Sequence, residues 1–231
     1  MATSSDRKSV IAIDGPVASG KSTVGRLLAE RLGYLYVDTG AMYRALTLKA
    51  VRDGVNLEDE EALVKVAHRA RIDLGVDKKG ELCVLLDGRD VTRQIRTPEI
   101  TNKVFYIAKV GGVRKEMVSL QRKIARGKGA VVEGRDIGTV VFPNANKKFY
   151  LGASFEERAR RRYKELCDQG RPTSLRKVEK EIALRNGRDK TRKIAPLRLA
   201  DDAVHIDTTN LTIDGVVDEI LSHLGKDVEK K

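Results

Sequence analysis

Tryptophan is absent and aromatic residues make up only 4% of the 231-residue chain, so its core has to be aliphatic. The same shortage argues against an aromatic platform for stacking single-stranded nucleic acid. Two cysteines, Cys83 and Cys167, are too few for a disulfide framework or a zinc set and read as ordinary thiols. The three histidines, His68, His205 and His223, form no ligand or nucleophile pattern. No apolar run approaches the ~18 residues of a membrane span. The start, Met1 to Lys8, is polar and lacks the apolar core of a signal peptide. No segment repeats and none is low in complexity. These absences lead us to expect a soluble, cytoplasmic protein with no membrane partner. At 41% hydrophobic residues the chain can bury a sizeable core, which excludes global disorder. The length suits one compact α/β domain with an insertion, or at most two small domains. The net charge of +12 is the unusual feature. It fits nucleic acid, an anionic membrane surface, small polyanions, or simply a solvated Lys/Arg surface.

Patterning gives a mostly alternating β/α order. Ser9–Asp14 reads as a buried strand that stops at Gly15–Pro16, and Ser22–Leu32 as a helix ended by Gly33. A strand at Tyr34–Val37 precedes a helix over Gly40–Asp53. Asn56 is expected to cap the next helix, through Ala70, with Asp59 and Glu60 in its first turn. The pattern then changes. Ile72–Ile95, with turns at Lys79–Gly80 and Asp87–Gly88, predicts a small antiparallel meander. Helices follow over Pro98–Lys109 and Val113–Arg126, separated by a Gly111–Gly112 break. Strands are expected at Ala130–Glu133, Lys148–Leu151 and Ala203–Asp207. Ser154 and Glu157 form a capping box opening a basic helix that Gly170 stops, and Ser174–Asn186 forms another. A last helix covers Ile213–Leu224, closed by Gly225 before a charged tail. Five short strands separated mostly by helices predict a parallel sheet with helices on both faces.

The segment Gly15-Pro16-Val17-Ala18-Ser19-Gly20-Lys21-Ser22 matches G-x-x-x-x-G-K-[ST] and lies between a predicted strand and a predicted helix. Glycines there let backbone N–H groups curl around phosphate oxygens, and the helix N-terminus adds partial positive charge. Lys21 would reach the β- and γ-phosphates and Ser22 would hold Mg2+, with Thr23 next in line; a nucleoside triphosphate is the expected ligand. An Asn-Lys-x-Asp base-reading tetrapeptide, the mark of a GTPase, is missing. Val131-Val132-Glu133 poorly matches the acidic strand end of a motor.

Four further segments carry a family resemblance: Asp38-Thr39-Gly40-Ala41-Met42-Tyr43-Arg44, Gly134-Arg135-Asp136-Ile137-Gly138-Thr139, Arg185–Arg192 leading into Ala195-Pro196-Leu197, and Asp201-Asp202-Ala203. With Ile95-Arg96-Thr97-Pro98-Glu99 and the phosphate loop, in this order, the chain closely resembles bacterial cytidylate kinases from about Val10 to Leu224. The resemblance implies an α/β fold: a five-stranded parallel-sheet P-loop kinase core with helices on both faces, a small antiparallel β insertion and a helical lid. As one nucleoside monophosphate kinase domain over 1–231, the core would cover about 9–71, 97–153 and 200–225. The insertion would cover 72–96 and the lid 154–199. It further implies Mg2+-dependent transfer of the ATP γ-phosphoryl group to CMP or dCMP. Separately, a monomer is expected.

The resemblance also implies roles. Gly15 to Thr23 would hold ATP. Arg44, Arg135, Arg185 and Arg192 would grip the CMP phosphate, for which bidentate guanidinium forks are suited. Asp189 would meet the ribose hydroxyls, Arg114 and Asp136 the cytosine edge, and Thr39 the acceptor phosphate. Arg158 and Arg162 would approach the ATP phosphates. Each has a plainer alternative. Arg185, Asp189 and Arg192 also describe a salt-bridged solvated face. Arg158, Arg160, Arg161 and Arg162 form a charge run of the kind that is usually surface. Asp14 would support Lys21 or a metal-bound water, or else serve structural bonding. Three departures stand out. Phe105 occupies the register of a base-contacting Ser, which would weaken discrimination against UMP. Asn186 replaces an Asp, with no contact expected of it. Gly111–Gly112 replaces a Pro-containing turn and predicts a looser loop. Alternatives are another small P-loop kinase, acting on UMP or a non-nucleotide acceptor, or a basic ATP-binding nucleic-acid module. Ser154 to Ala200 carries 15 Lys+Arg against seven Asp+Glu, two-thirds of the whole surplus. That concentration favours a clamp on small polyanions, with nucleic acid not a partner.

Overall fold

The computed structural model describes residues 9–76 and 82–224. The polar start, the turn expected at Lys79–Gly80, the stop at Gly225 and the charged tail lie outside the described residues. Chain contacts define two compact units: the described residues up to Tyr36 and from Gly127 onward, and Val37–Arg126 between them.

The first unit is built on β1 (Val10–Asp14), α1 (Lys21–Leu32) and the start of β2 (Leu35–Asp38). After the second unit come β6 (Ala130–Gly134), β7 (Lys147–Gly152), α6 (Phe155–Asp168), α7 (Leu175–Thr191), β8 (Val204–Asp207) and α8 (Ile213–Leu224). The five strands form one parallel sheet in the order β2-β6-β1-β7-β8, with β1 at its centre between β6 and β7. Alternation along β1 sends Ile11 and Ile13 to the same face. There they pack with Val24 and Leu28 of α1 and with Val216, Val217 and Ile220 of α8. A second cluster joins Ala159 and Leu166 of α6 to Val178 and Ile182 of α7 and to Val17.

In the second unit, α2 (Thr39–Arg52) and α3 (Glu60–Arg69) precede a three-stranded antiparallel sheet of β3 (Ile72–Val76), β4 (Leu82–Leu86) and β5 (Arg89–Asp90). A 3-10 turn at Gln94–Arg96 leads into α4 (Pro98–Ala108) and α5 (Gly111–Ala125). The Asp87–Gly88 turn has φ of 50° and 79°, the paired positive values of a two-residue hairpin. Met42, Leu46, Leu63, Ile72, Ile95 and Ile107 are its largest fully buried side chains.

Several boundaries differ from expectation for local reasons. Asp59, not Asn56, caps α3, accepting from Ala62 N–H at 2.9 Å, while Asn56 closes a preceding turn by accepting from Glu58 N–H. Gly111 and Gly112 are not a loose break: both lie in the first turn of α5, and a Cβ on Gly112 would stand 2.5 Å from Val64 Cγ2. α7 runs on to Thr191, five residues past the expected stop. Only half of the Ser154 capping box forms. Ser154 Oγ accepts from Glu157 N–H, but the Glu157 carboxylate turns to Arg160 and Arg161, and Ser154 N–H donates to Thr209 Oγ1 instead. Finally, Ile137–Val141 forms a π-helical turn no pattern suggested. The Asp14 carboxylate fixes it by accepting from Ile137 N–H at 2.9 Å and Gly138 N–H at 2.8 Å. Of Asp14's alternatives, structural bonding is seen here, and its charge also acts on Lys21.

Candidate active site

The loop between β1 and α1 is held in a conformation few sequences tolerate. Gly15, Ala18 and Gly20 have φ of 150°, 61° and 89°. A Cβ on Gly15 would run into the Leu151 carbonyl oxygen, so the residue has to be glycine. Gly20 caps α1 without a side-chain bond, and the helix has no acidic residue in its first turn. Its N-terminal donors and dipole are therefore left for an anion.

Lys21 is 5% exposed. Its ammonium donates to the Pro16 carbonyl at 2.6 Å and to Ser19 Oγ at 3.2 Å. Burial, joined by the nearby Arg135, pulls its pKa down to about 7, against the opposite pull of Glu133, Asp14 and Asp189. Burial likewise pushes Asp14 up to about 6, despite its two backbone donors. Ser22 Oγ donates to Glu133 Oε1 at 2.6 Å, and Tyr36 Oη donates to the same oxygen at 2.9 Å. Glu133 is buried at the end of β6. The sequence marks Glu133 as an acid near a strand end, but as a poor match to the acidic strand end of a motor it does not stand out there as a site residue. Among the described residues no three His, Cys, Asp or Glu side chains group as a metal site. The hard oxygens of Ser22 and Glu133 nevertheless suit Mg2+ brought in by a triphosphate.

Two sequence motifs interlock through opposite charges. Arg135 Nε meets Asp189 Oδ2 at 2.8 Å, and Arg192 Nη2 lies 3.6 Å from Asp136 Oδ1. Burial alone would lower the Arg135 pKa, but Asp189 reverses it and holds the guanidinium above its ordinary range. Arg192 also donates from Nε to the Ile194 and Ala195 carbonyls, at 2.8 and 3.0 Å. Asp189 thus turns to Arg135 across the fold. Arg185 is half-buried on α7.

The basic run on α6 divides by environment. Arg158, 8% exposed, donates from Nη1 to the Val17 carbonyl at 3.2 Å and from Nε to the Ala153 carbonyl, and burial lowers its pKa. Arg161 donates to the Thr208 hydroxyl and carbonyl and pairs with Glu157; its Nη1 lies 3.9 Å from a Cβ built on Gly20. Arg162 pairs with Glu165 at 2.7 Å, and Arg160 is 75% exposed. Arg161 was not among the predicted residues, because a run of arginines does not say which one faces the loop. Asn186, expected to make no contact, accepts from Val17 N–H at 3.3 Å.

In the second unit, Asp38 caps α2 by accepting from Ala41 N–H at 2.7 Å and pairs with Arg44 at 3.2 Å. Thr39 opens α2 and is buried. Arg114 is buried on α5, its guanidinium 5.7 Å from the Tyr43 ring centre. Phe105 meets Tyr106 edge-on at 5.9 Å between ring centres, with the Lys109 ammonium 5.9 Å from the Phe105 ring centre. Cys83 and Cys167 form no disulfide among the described residues.

A parallel α/β sheet whose central strand feeds a phosphate-binding loop and a buried Lys21, with Ser22 tied to an acid on the neighbouring strand, is the core of a P-loop kinase. The family model described as cytidylate kinase matches residues 11–226. The chain belongs to the cytidylate kinase family and is a phosphotransferase. A cytidylate kinase of Desulforamulus reducens is 52% identical over 216 residues, covering 94% of this chain and 96% of that protein. One of Bacillus licheniformis is 47% identical, covering 97% and 100%. Among solved structures, an uncharacterized protein from Eubacterium ventriosum aligns over 94% of this chain and 98% of its own, with 13% identity and a TM-score of 0.50, a likeness of fold alone.

Proposed function

We propose that this protein transfers the γ-phosphoryl group of ATP to CMP and dCMP, giving ADP with CDP or dCDP. The observation that carries this reading is family membership over nearly the whole chain, joined to a complete phosphate loop with Lys21 buried in it. The loop from Gly15 to Thr23 binds the triphosphate through backbone N–H groups, those of Pro16, which has none, and of Val17, which goes to Asn186, excepted. Lys21 leaves the Pro16 carbonyl for the phosphate oxygens and recovers a full charge there. Ser22, with Glu133 behind it, would hold Mg2+ arriving with the triphosphate, which would supply charge neutralisation. Arg135, Arg158, Arg162 and Arg192 spread the charge of the transferring group. The acceptor phosphate is already ionised, so no general base is needed.

On the acceptor side, Thr39, Arg44, Arg135, Arg185 and Arg192 serve the CMP phosphate, Asp189 the ribose, and Arg114 with Asp136 the base. The region 154–199 acts as a lid that excludes water, since an open site would hydrolyse ATP. Phe105 cannot donate a hydrogen bond to the base, and for that reason a second acceptor, UMP, is worth measuring. Steady-state rates with CMP, dCMP, UMP and AMP test the reading. CMP and dCMP are expected to lead, UMP to follow and AMP to be inert. A preference for AMP, or no response to any of the four, would overturn it.

A further inference from the structure

The phosphate loop meets the helices after β7 most fully at Val17, with Ala18 packed against the same cluster. The Val17 N–H donates to Asn186 Oδ1 on α7, the Val17 carbonyl accepts from Arg158 on α6, and the Val17 side chain lies in the α6–α7 core. N–H, carbonyl and side chain are all engaged by those two helices. Val17 stands between Gly15 and Ala18, both at positive φ, so its peptide is fixed by surroundings more than by local preference.

The other end of this link is as telling. Asn186 and Gly187 are adjacent poor helix formers, yet both are inside α7. A Cβ on Gly187 would meet nothing within 4 Å, so packing does not require the glycine. Besides the local bond from Thr191 Oγ1 to the Gly187 carbonyl, the end of α7 is held by tertiary ties: Asn186 to Val17, Asp189 to Arg135, and the Asp189 carbonyl to Leu197 N–H. A local preference set against the observed structure marks a place where function is decided.

We propose that Asn186 is a positioning residue that couples occupancy of the phosphate loop to the placement of the end of α7, and through it of Arg185, Asp189 and Arg192. The proposal rests on the reading of the loop as a triphosphate site. When phosphates fill the loop, the conformation in which the Val17 N–H meets Asn186 is stabilised further, and Asn186 passes that added order to the end of α7.

Amide hydrogen exchange on the full chain, with and without Mg2+ and the β,γ-imido analogue of ATP, tests this. In the wild type the analogue is expected to slow exchange at 15–23 and at 186–191. Asn186→Ala is expected to keep the first effect and lose the second. Its kcat should fall roughly tenfold, as a misplaced substrate-positioning group requires. Its KM for ATP should move by less than about threefold, since nucleotide contacts are intact. Asn186→Asp, whose carboxylate accepts the same N–H, should restore both. Gly187→Ala, which leaves Asn186 in place, should slow exchange at 187–191 without nucleotide and shrink the analogue's further effect. A purely packing role would leave the nucleotide-dependent slowing at 186–191 in Asn186→Ala, with kcat unchanged, and that result overturns the proposal. Slowing at 15–23 but not at 186–191 in the wild type also overturns it, alone. A wild type that does not bind the analogue overturns the triphosphate reading and the proposal together.

Discussion

Lys21 carries a proton against its surroundings. In the free protein its pKa is held near 7, so at pH 8 much of the population is neutral. A bound polyphosphate restores the charge. Nucleotide binding is therefore expected to take up protons above pH 7 and to weaken as pH rises from 7 to 9. Calorimetric titration in buffers of different ionisation enthalpy measures this directly, and Lys21→Ala should abolish the uptake. The linkage to stability has the opposite sign. The folded protein loses the Lys21 proton near 7 while the unfolded chain keeps it to 10.5, so this group's contribution to stability rises with pH across that range. The raised Asp14 pKa acts the other way, its contribution falling between 3.8 and about 6. At this scale the sequence announces Lys21 and Ser22 through their spacing, because the loop is contiguous. It is silent on Glu133 as the partner of Ser22 and on Asn186 as the partner of Val17. Those contacts span 111 and 169 residues and depend on strand order.

Helices and strands were legible wherever apolar periodicity and a glycine stop coincided, as at α1 with Gly33. They were misjudged where glycine was read as a break. Gly112 is the clearest case, since it sits in α5 against Val64. Helix propensity alone gives Gly112→Ala a gain of up to ~1 kcal/mol. The added Cβ would instead press on a β-branched side chain that is stiff at χ1. A net loss of about 1–3 kcal/mol is expected from overpacking, read by urea denaturation as a lower midpoint with an unchanged slope. Gly127→Ala gives a different test, because nothing lies within 4 Å of its Cβ position and only the positive φ of 69° resists it. It should cost about 1 kcal/mol from left-handed backbone strain alone. The π-helical turn after Asp136 could not be read in the sequence, because the acid that fixes it, Asp14, belongs to another strand.

For the whole molecule, the surplus of positive charge was ambiguous as a total and informative as a distribution. Much of it lies on α6, α7 and the segment after them, where Arg158 and Arg192 are buried and Arg161 is tied to Thr208. These guanidinium groups face inward and offer nothing to a duplex, although Arg160, Arg176 and Lys180 on the same two helices are exposed. Random-sequence DNA is expected to bind more weakly than the ~10⁻⁴–10⁻⁶ M of ordinary non-specific binders at physiological salt. A fluorescence anisotropy titration that saturated at micromolar protein would contradict that. Family and fold were legible because their motifs are short and contiguous. The Arg135–Asp189 and Asp136–Arg192 pairs were not, because each joins two motifs the sequence keeps about fifty residues apart. The most direct test of the central claim is ADP release from Mg2+-ATP, measured with and without CMP. Wild-type protein is expected to release ADP rapidly only when CMP is present. Lys21→Ala should fold normally and lose about a thousandfold in that rate, the scale of removing a main transition-state charge partner. ADP release that ignores CMP, or a Lys21→Ala variant that keeps a near-normal rate, would contradict it.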